Sequence, residues 1–510
     1  MEHIVALLRA YSQSFALLGD ANTIYLILLG TIIGITFGAL PGLTSTMTLA
    51  VFTPLTFGIS AEKSFFFLTA IYVSSVFGGS ISAILINIPG TPASVAVLLD
   101  GYPLTKQGEA GTAISLATMA ATMGTLIGLV FLLFVAPILA GFALNFGPFE
   151  YALLALSGVT VVSYVTSGSL LQGYIGGLLG LLLATVGQDP IMATARLTFG
   201  IPDLSAGFDL IAVIVGLFGL AEVLSEALNA YTAKSEEIKI AKMQLKIRKS
   251  LSLLFKHMKA IFISAPIGVA IGALPVAGPT FASLAGYGVA RKYSKEAAKY
   301  GKGSYEGLVA AECAKQACIG GDLVPTMTLG IPGDTMTAVL IGAFMIHGLT
   351  PGPLLFKNHP EVVSSVYVGI LVGTVSFALI GLFGAPLFAR VLKIPRCFLY
   401  PMIVALCIIG TFSINNSLFD VWVMIFFGLL SFFFRQVNLE AAPVILGFIL
   451  GPIFEENLRR GLMISEGSLL PLVTRPICLV LLAIIVALFV SGIRHYRKHE
   501  PHHQEEKNEE

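Results

Sequence analysis

Charged residues are scarce in this chain. Lys, Arg, Asp and Glu make up 12% of its 510 residues against 56% hydrophobic ones, and the mean hydropathy is +0.88. A soluble globule of that size needs more polar surface than this composition supplies, so the sequence implies a polytopic membrane protein. The net charge is only +1, which gives nucleic acid nothing to bind as a partner. Cysteine is also rare. The five present (Cys313, Cys318, Cys397, Cys407, Cys478) lie in or beside apolar segments without a CxxC or interleaved His pattern. They read as small buried apolar residues, not as a disulfide framework or a metal site. Residues 1–20 hold Arg9 as their sole strong base and show no small-residue cleavage site, so no cleaved signal peptide is expected. Residues 494–510 are polar and rich in His and Glu, with nothing to bury, and are expected to be a disordered cytoplasmic tail with solvated histidines.

Long uncharged runs are what the chain does have, and several exceed the roughly 20 residues that cross a bilayer as a helix. Ser64 to Leu99 contains 36 residues without a charge. Fully helical, it would extend roughly 54 Å, too long for a hydrocarbon core of about 30 Å. It must therefore break, and Asn87-Ile-Pro89-Gly90-Thr91-Pro92 is the place. Its partner is Leu308 to Ile346, broken at Gly330-Ile-Pro332-Gly333-Asp334.

The sequence also repeats itself. Gly34-Ile-Thr-Phe-Gly38-Ala39-Leu40-Pro41-Gly42 is echoed by Gly268-Val-Ala-Ile-Gly272-Ala273-Leu274-Pro275, close to half a chain length later. In each half a Gly-Gly pair (Gly78-Gly79, Gly320-Gly321) and then an Ile-Pro-Gly break follow in the same order. Duplicated, broken apolar segments are a signature of secondary transporters, whose interrupted helices build a midplane site, and an elevator motion that carries both hairpins past a fixed scaffold is expected in preference to rocking halves.

Charge placement sets the topology. Between Tyr231 and Lys259 stand eight bases and two acids, Glu236 and Glu237, so the positive-inside rule makes this linker cytoplasmic. A second basic cluster (Arg291, Lys292, Lys295, Lys299, Lys302) follows the uncharged run Ala260 to Ala290. Both flanks of that run then lie on one side, and the run must enter the membrane and return. Thr23 to Ile59 lacks a basic excess and is expected to enter from the other face, which makes the repeats inverted. The expected fold is an all-α polytopic membrane protein of about 12 spans, among them an apolar one from Ala441 to Ile453. Its parts are a first transmembrane repeat (1–230), a basic cytoplasmic linker (231–259), a second repeat (260–493) and the tail (494–510), each repeat holding a re-entrant or broken-helix hairpin.

A helix that begins within the membrane leaves N–H groups unpaired and its positive end exposed, a ready place for a carboxylate. Four such starts are expected. They give the candidate substrate- and cation-binding residues Pro41, Gly42, Thr44, Ser45 and Thr46; Asn87, Pro89, Gly90 and Thr91; Gly278, Pro279 and Thr280; and Pro332, Gly333, Asp334 and Thr335. The hydroxyls can cap helices, bind substrate oxygens or ligate a small hard cation. Asp322 and Asp334 are acids in an apolar span and are functional candidates on that ground. Asp334 is the candidate Na+ ligand or proton carrier, with N-capping as the rival role, and Glu312 with Lys315 are expected to form a local pair near the cytoplasmic end.

The two glycine-rich openings, Tyr72-Val-Ser-Ser-Val-Phe-Gly78-Gly79-Ser80, Asp100-Gly-Tyr-Pro103 and His347-Gly-Leu-Thr-Pro-Gly352-Pro353, together with the two breaks, resemble the large membrane subunit, TctA, of tripartite tricarboxylate transporters. The resemblance covers nearly the whole chain. It implies import of tricarboxylates such as citrate, or related organic acids, across a bacterial inner membrane. It further implies Na+ or H+ as coupling ion, no other cofactor, a small membrane subunit and a periplasmic solute-binding protein. Other readings are a carrier of a non-citrate carboxylate, a channel and an intramembrane enzyme. Against an enzyme, Ile319-Gly-Gly-Asp322 and Ile331-Pro-Gly-Asp334 miss the first glycine of the aspartyl intramembrane protease motif, and neither His-Glu-x-x-His nor Gly-x-Ser-x-Gly occurs.

Overall fold

The computed structural model describes residues 12–165, 170–232, 245–274, 278–392 and 396–499. Most of them are helical. Strand pairing among them is confined to a short antiparallel ribbon of Gly187–Gln188 with Ala195–Arg196. Packing divides the chain into two compact units that cut across the sequence halves: residues 1–143 with 218–417, and residues 144–217 with 418–510.

In the first unit the elements that matter are α1 (Ala21–Ala39), α2 (Ser45–Phe52), α3 (Ala61–Ile86), α4 (Val95–Lys106) and α5 (Ala110–Ala143), followed by α6 (Ile247–Lys256), α7 (Met258–Gly272), α8 (Gly278–Tyr293), α9 (Tyr305–Leu329), α10 (Thr335–Ile346) and α11 (Pro360–Phe383). The expected breaks are where Pro and Gly fall: α1 gives way to α2 across Leu40-Pro41-Gly42, and α7 to α8 after Gly272. Pro275 of the second opening lies outside the described residues. The expectation for the linker meets the same limit at 233–244, beyond which α6 and α7 meet at a 74° bend.

Helices α3 and α9 form the interior and are buried along nearly their whole length. Helix α1 packs on α3 and α7 on α9, in each case through the Gly-x3-Gly pair. A Cβ on Gly34 or Gly38 would overlap α3 at Ser74 and Ser75, and one on Gly268 or Gly272 would overlap the backbone of α9 at Ala314 and Cys318. Helix α5 crosses α9 as closely, with Gly128 against Gly320. In a bilayer, helices gain little from hiding apolar surface from lipid, so this approach of small residues is what draws them together. Wrapping α9 on all sides lets it carry Glu312, Lys315, Gln316 and Asp322 with no side chain exposed.

The basic segments gather at one end of this unit. Lys249 and Lys246 pair with Glu109 at 2.8 and 3.4 Å, Lys259 donates to the Tyr293 carbonyl, and Gln107 donates to the Lys302 carbonyl. Asp100 of the Asp-Gly-Tyr-Pro sequence fastens the loop before α9: its Oδ1 accepts from the N–H groups of Gly301, Gly303 and Ser304, and its Oδ2 from the Tyr287 hydroxyl.

The second unit is built from helices Pro148–Val165, Leu170–Leu183, Leu418–Gln436, Ala441–Ile464 and Pro476–His499. Gly180 and Gly447 bring two of them together, and Arg475 holds Glu150 at 2.9 Å. Helix Ala441–Ile464 runs eleven residues past the expected end at Ile453, because Glu455 with Arg459 and Glu456 with Arg460 support further turns at i,i+4 spacing. The last helix continues to His499, into the segment expected to be a tail, and 500–510 lie outside the described residues.

Among the described residues eight helices are long and apolar enough to cross a membrane, or nine if the bent pair α6–α7 counts as one. The dozen spans expected are not all of spanning length: four further apolar helices, including Thr335–Ile346, are shorter. The chain is thus an all-α, multi-pass membrane protein.

Candidate functional site

The two long interior helices end alike. Helix α3 stops at Asn87 in the left-handed conformation (φ 61°), and α9 at Gly330 (φ 71°). Asn and Gly reach that region most cheaply, and the proline two residues on prevents either helix from continuing. After Ile-Pro-Gly a new helical segment starts in both cases, at Pro92 and at Thr335.

The breaks pair across the halves. Helix α2 packs against α10, and the turn at Pro92–Ser94 with α4 packs against α8. The start of one half's first hairpin thus meets the other half's second break, and the reverse. The first of these meetings gathers the most polar groups. Thr46 and Thr335 hydroxyls are 2.7 Å apart at the N-termini of α2 and α10. Thr44 caps α2 by accepting the Met47 N–H at 3.1 Å, and the Ser45 hydroxyl beside it is buried with no hydrogen-bond partner among the described residues.

Asp334 caps α10 in a reciprocal box. Its Oδ1 accepts the Thr337 N–H at 2.7 Å, and its own N–H donates to Thr337 Oγ1 at 2.8 Å. The residue is 4% exposed, and its Oδ2 has no hydrogen-bond partner among the described residues. Gly278, left-handed at φ 61°, lies against Asp334, where a Cβ would come within 3.2 Å of the Asp334 Cβ. Behind Asp334, Gly333 seats against Asp322, whose Oδ2 accepts the Tyr72 hydroxyl at 3.2 Å. The Gly333 N–H donates to Thr326 Oγ1 at 3.2 Å. The arrangement offers a buried carboxylate oxygen, several hydroxyls and two adjacent helix N-termini, the groups that hold a small cation and a carboxylate side by side.

Of the residues singled out in the sequence, Thr44, Ser45, Thr46, Gly278, Asp334 and Thr335 belong to this cluster, with Pro332 and Gly333 as its buried backbone turn. Pro41 and Gly42 stand half-buried at its edge. Gly42 is left-handed (φ 89°), and the Glu226 carboxylate fills the place a side chain would take. Pro279 is buried and Thr280 half-buried at the start of α8. The first-half break lies elsewhere: Asn87 is an exposed helix end, Pro89 is half-buried, Gly90 packs on Gly38, Gly79 and Ser82, and Thr91 Oγ1 is 3.4 Å from Ser94 Oγ. Tyr72 and Glu226 were not singled out. Tyr72 carried a signal, since a tyrosine inside an apolar helix must find a partner for its hydroxyl. Glu312 and Lys315 do form their local pair at 2.9 Å, but both are 0% exposed and their partners are Ser80 and Ser94. The spacing showed the pair and not its depth, because burial of α9 comes from helices remote in sequence.

Among the described residues no group of three or more His, Cys, Asp or Glu could hold a metal ion. Cys313, Cys318, Cys407 and Cys478 are free and buried.

Residues 24–446 match the Tripartite tricarboxylate transporter TctA family. The chain belongs to the TctA family. Its curated relatives include an uncharacterized 52.8 kDa protein in the TAR-I ttuC' 3' region of Agrobacterium vitis, 36% identical over 469 residues, which are 92% of this chain and 91% of that protein. Another, in the TAR-II ttuC' 3' region of the same organism, is 38% identical over 229 residues, 44% of this chain and 95% of that protein. No solved structure gives a significant match. The TctA family is one of transporters, and this chain is a transporter subunit of the tripartite tricarboxylate class.

Proposed function

We propose that this TctA-family chain imports a tricarboxylate such as citrate, or a related organic acid, by symport with Na+ or H+ across the bacterial inner membrane. In this reading a periplasmic solute-binding protein delivers the substrate and a small membrane subunit completes the transporter. One observation carries the reading: Asp334 keeps Oδ2 buried and without a hydrogen-bond partner beside the N-termini of α2 and α10. A bare carboxylate there would repel an incoming carboxylate, and a bound Na+ or proton relieves that repulsion. The N–H groups of α2, with Thr46 and Thr335, are then free to take the substrate. The reciprocal pairing of breaks is what a two-fold axis relating the halves would give, and the charge placement is what favours an axis in the membrane plane, that is, inverted repeats.

Uptake of radiolabelled citrate into proteoliposomes, with the partner proteins supplied and a Na+ or H+ gradient imposed, tests the reading. Accumulation that follows one gradient and is lost in Asp334→Asn is the expected result. Accumulation indifferent to both gradients would remove the cation from the mechanism.

A further inference from the structure

The two helix breaks of the first unit are unlike in chemistry. When they are matched through Ile88-Pro89-Gly90 with Ile331-Pro332-Gly333, and through Gly78-Gly79 with Gly320-Gly321, three polar positions correspond. Ser80 matches Asp322, Thr91 matches Asp334, and Ser94 matches Thr337. The second-half set carries two carboxylates, and its described hydrogen bonds bring in no cationic side chain. The first-half set carries hydroxyls alone, yet a positive charge is built into it.

That charge is Lys315, which reaches in from α9. Its ammonium donates to Ser80 Oγ, lies 3.3 Å from Ser94 Oγ and pairs with Glu312 Oε1 at 2.9 Å, while the Ser80 hydroxyl donates to Glu312 Oε2 at 2.6 Å. All four residues are 0% exposed. Two hydroxyls and a carboxylate are the oxygen set a small hard cation takes, and the ammonium meets the same set by donating to the two hydroxyls and setting its charge against the carboxylate. A pair serving packing alone would be an expensive choice, since burying both charges costs desolvation that well-packed apolar residues would avoid.

We propose that Lys315 is a tethered cation: in the first-half break it fills the place that an exchangeable ion takes in the second-half break, so the chain couples to one mobile cation site where its duplicated plan holds two. The proposal rests on the reading of Asp334 as the exchangeable site, but its test reads out separately. Lys315→Met removes the ammonium and leaves Glu312, Ser80 and Ser94 in place, so a free ion should enter.

The experiment is equilibrium binding of 22Na+ to the purified full chain in detergent, joined to thermal unfolding in NaCl against equal choline chloride. The expected result is that Lys315→Met binds one more equivalent of 22Na+ than the wild type and gains more unfolding temperature from NaCl. The double variant Glu312→Gln with Lys315→Met should show neither gain, since its site has no charge to neutralise. A folded Lys315→Met chain with wild-type stoichiometry and no added NaCl response would overturn the proposal. So would a Lys315→Met chain that cannot be recovered folded even in NaCl, because a vacated cation site must be rescued by the cation. Should wild type and Asp334→Asn bind equal 22Na+, the reading of Asp334 as a Na+ site fails and the proton is left as its ion, while the increment of Lys315→Met over wild type still decides the role of Lys315.

Discussion

In the proposed reading Asp334 divides two tasks between two oxygens. Oδ1 holds the N-terminus of α10, and Oδ2 is free for an ion. Asp334→Asn keeps an acceptor for the Thr337 N–H and turns Oδ2 into a donor, so the helix start should survive while the ion site does not. The thermal stability of this variant should stay within about 1 kcal/mol of wild type, the worth of a cap. The cation concentration for half-maximal uptake should rise about tenfold or more, as expected when a charged ligand worth roughly 1.5–3 kcal/mol is lost. Asp334→Ala should lose the cap as well, so unfolding and uptake measured on both variants separate the two roles. A large stability loss in Asp334→Asn with unchanged cation dependence would leave Asp334 a helix cap. Tyr72→Phe tests the ground behind it. Removing the hydroxyl strips Asp322 Oδ2 of its donor inside the protein, and chemical unfolding should report about 1–3 kcal/mol of destabilisation.

At the scale of elements, glycine decides which helices can touch. A Cβ on Gly320 would overlap the backbone of Gly128, and backbone cannot swing aside as a side chain does. Gly320→Val should therefore separate α5 from α9 and abolish a monodisperse peak in size-exclusion chromatography. Gly58→Ala, with nothing within 4 Å of the added carbon, should elute like the wild type. The contact between α6 and the start of α5 is of another kind, made by exposed lysines on a half-buried Glu109. The hydrogen bond from Lys249, aided by Thr112, lowers the Glu109 pKa to about 2. A lowered acid stabilises the fold above its unfolded pKa of about 4.3 and loses that contribution as pH falls through its folded value. Wild type and Glu109→Gln should accordingly differ most near neutral pH, by less than about 1 kcal/mol for so exposed a pair. The difference should shrink in high salt and vanish as pH falls from about 4.3 toward 2, which melting curves across pH and NaCl would show. Much of this level was legible in the chain: Pro41, Pro89 and Pro332 and their glycines marked the breaks, and the uncharged runs marked the long helices. The partners of those breaks were not legible, because Thr46 and Thr335 lie far apart in sequence and no local pattern joins them. Apolarity also set Ile453 as a helix end, whereas charged i,i+4 pairs carry the helix on to Ile464.

At the scale of the whole molecule, the question is what moves. An elevator mechanism carries both broken-helix pairs as one body, whereas rocking halves would move α1–α4 against α7–α10. Both pairs, one from each half, fall within the same compact unit, and the Thr46–Thr335 contact joins them at the candidate site. Rocking would have to part these two hydroxyls in every cycle; an elevator would leave them together. With the two hydroxyls 2.7 Å apart, sulfur atoms in their places would lie close enough for a disulfide to be tried. Thr46→Cys with Thr335→Cys therefore tests the motion directly, with uptake by the reduced protein as reference. Both residues also line the proposed substrate site, so citrate binding to the oxidised protein is the control: a crosslinked chain that still binds citrate should transport at the reduced rate if the two breaks travel as one. Binding that is kept while uptake stops on oxidation and returns with dithiothreitol would show that the halves must separate there, and the elevator reading would give way to rocking.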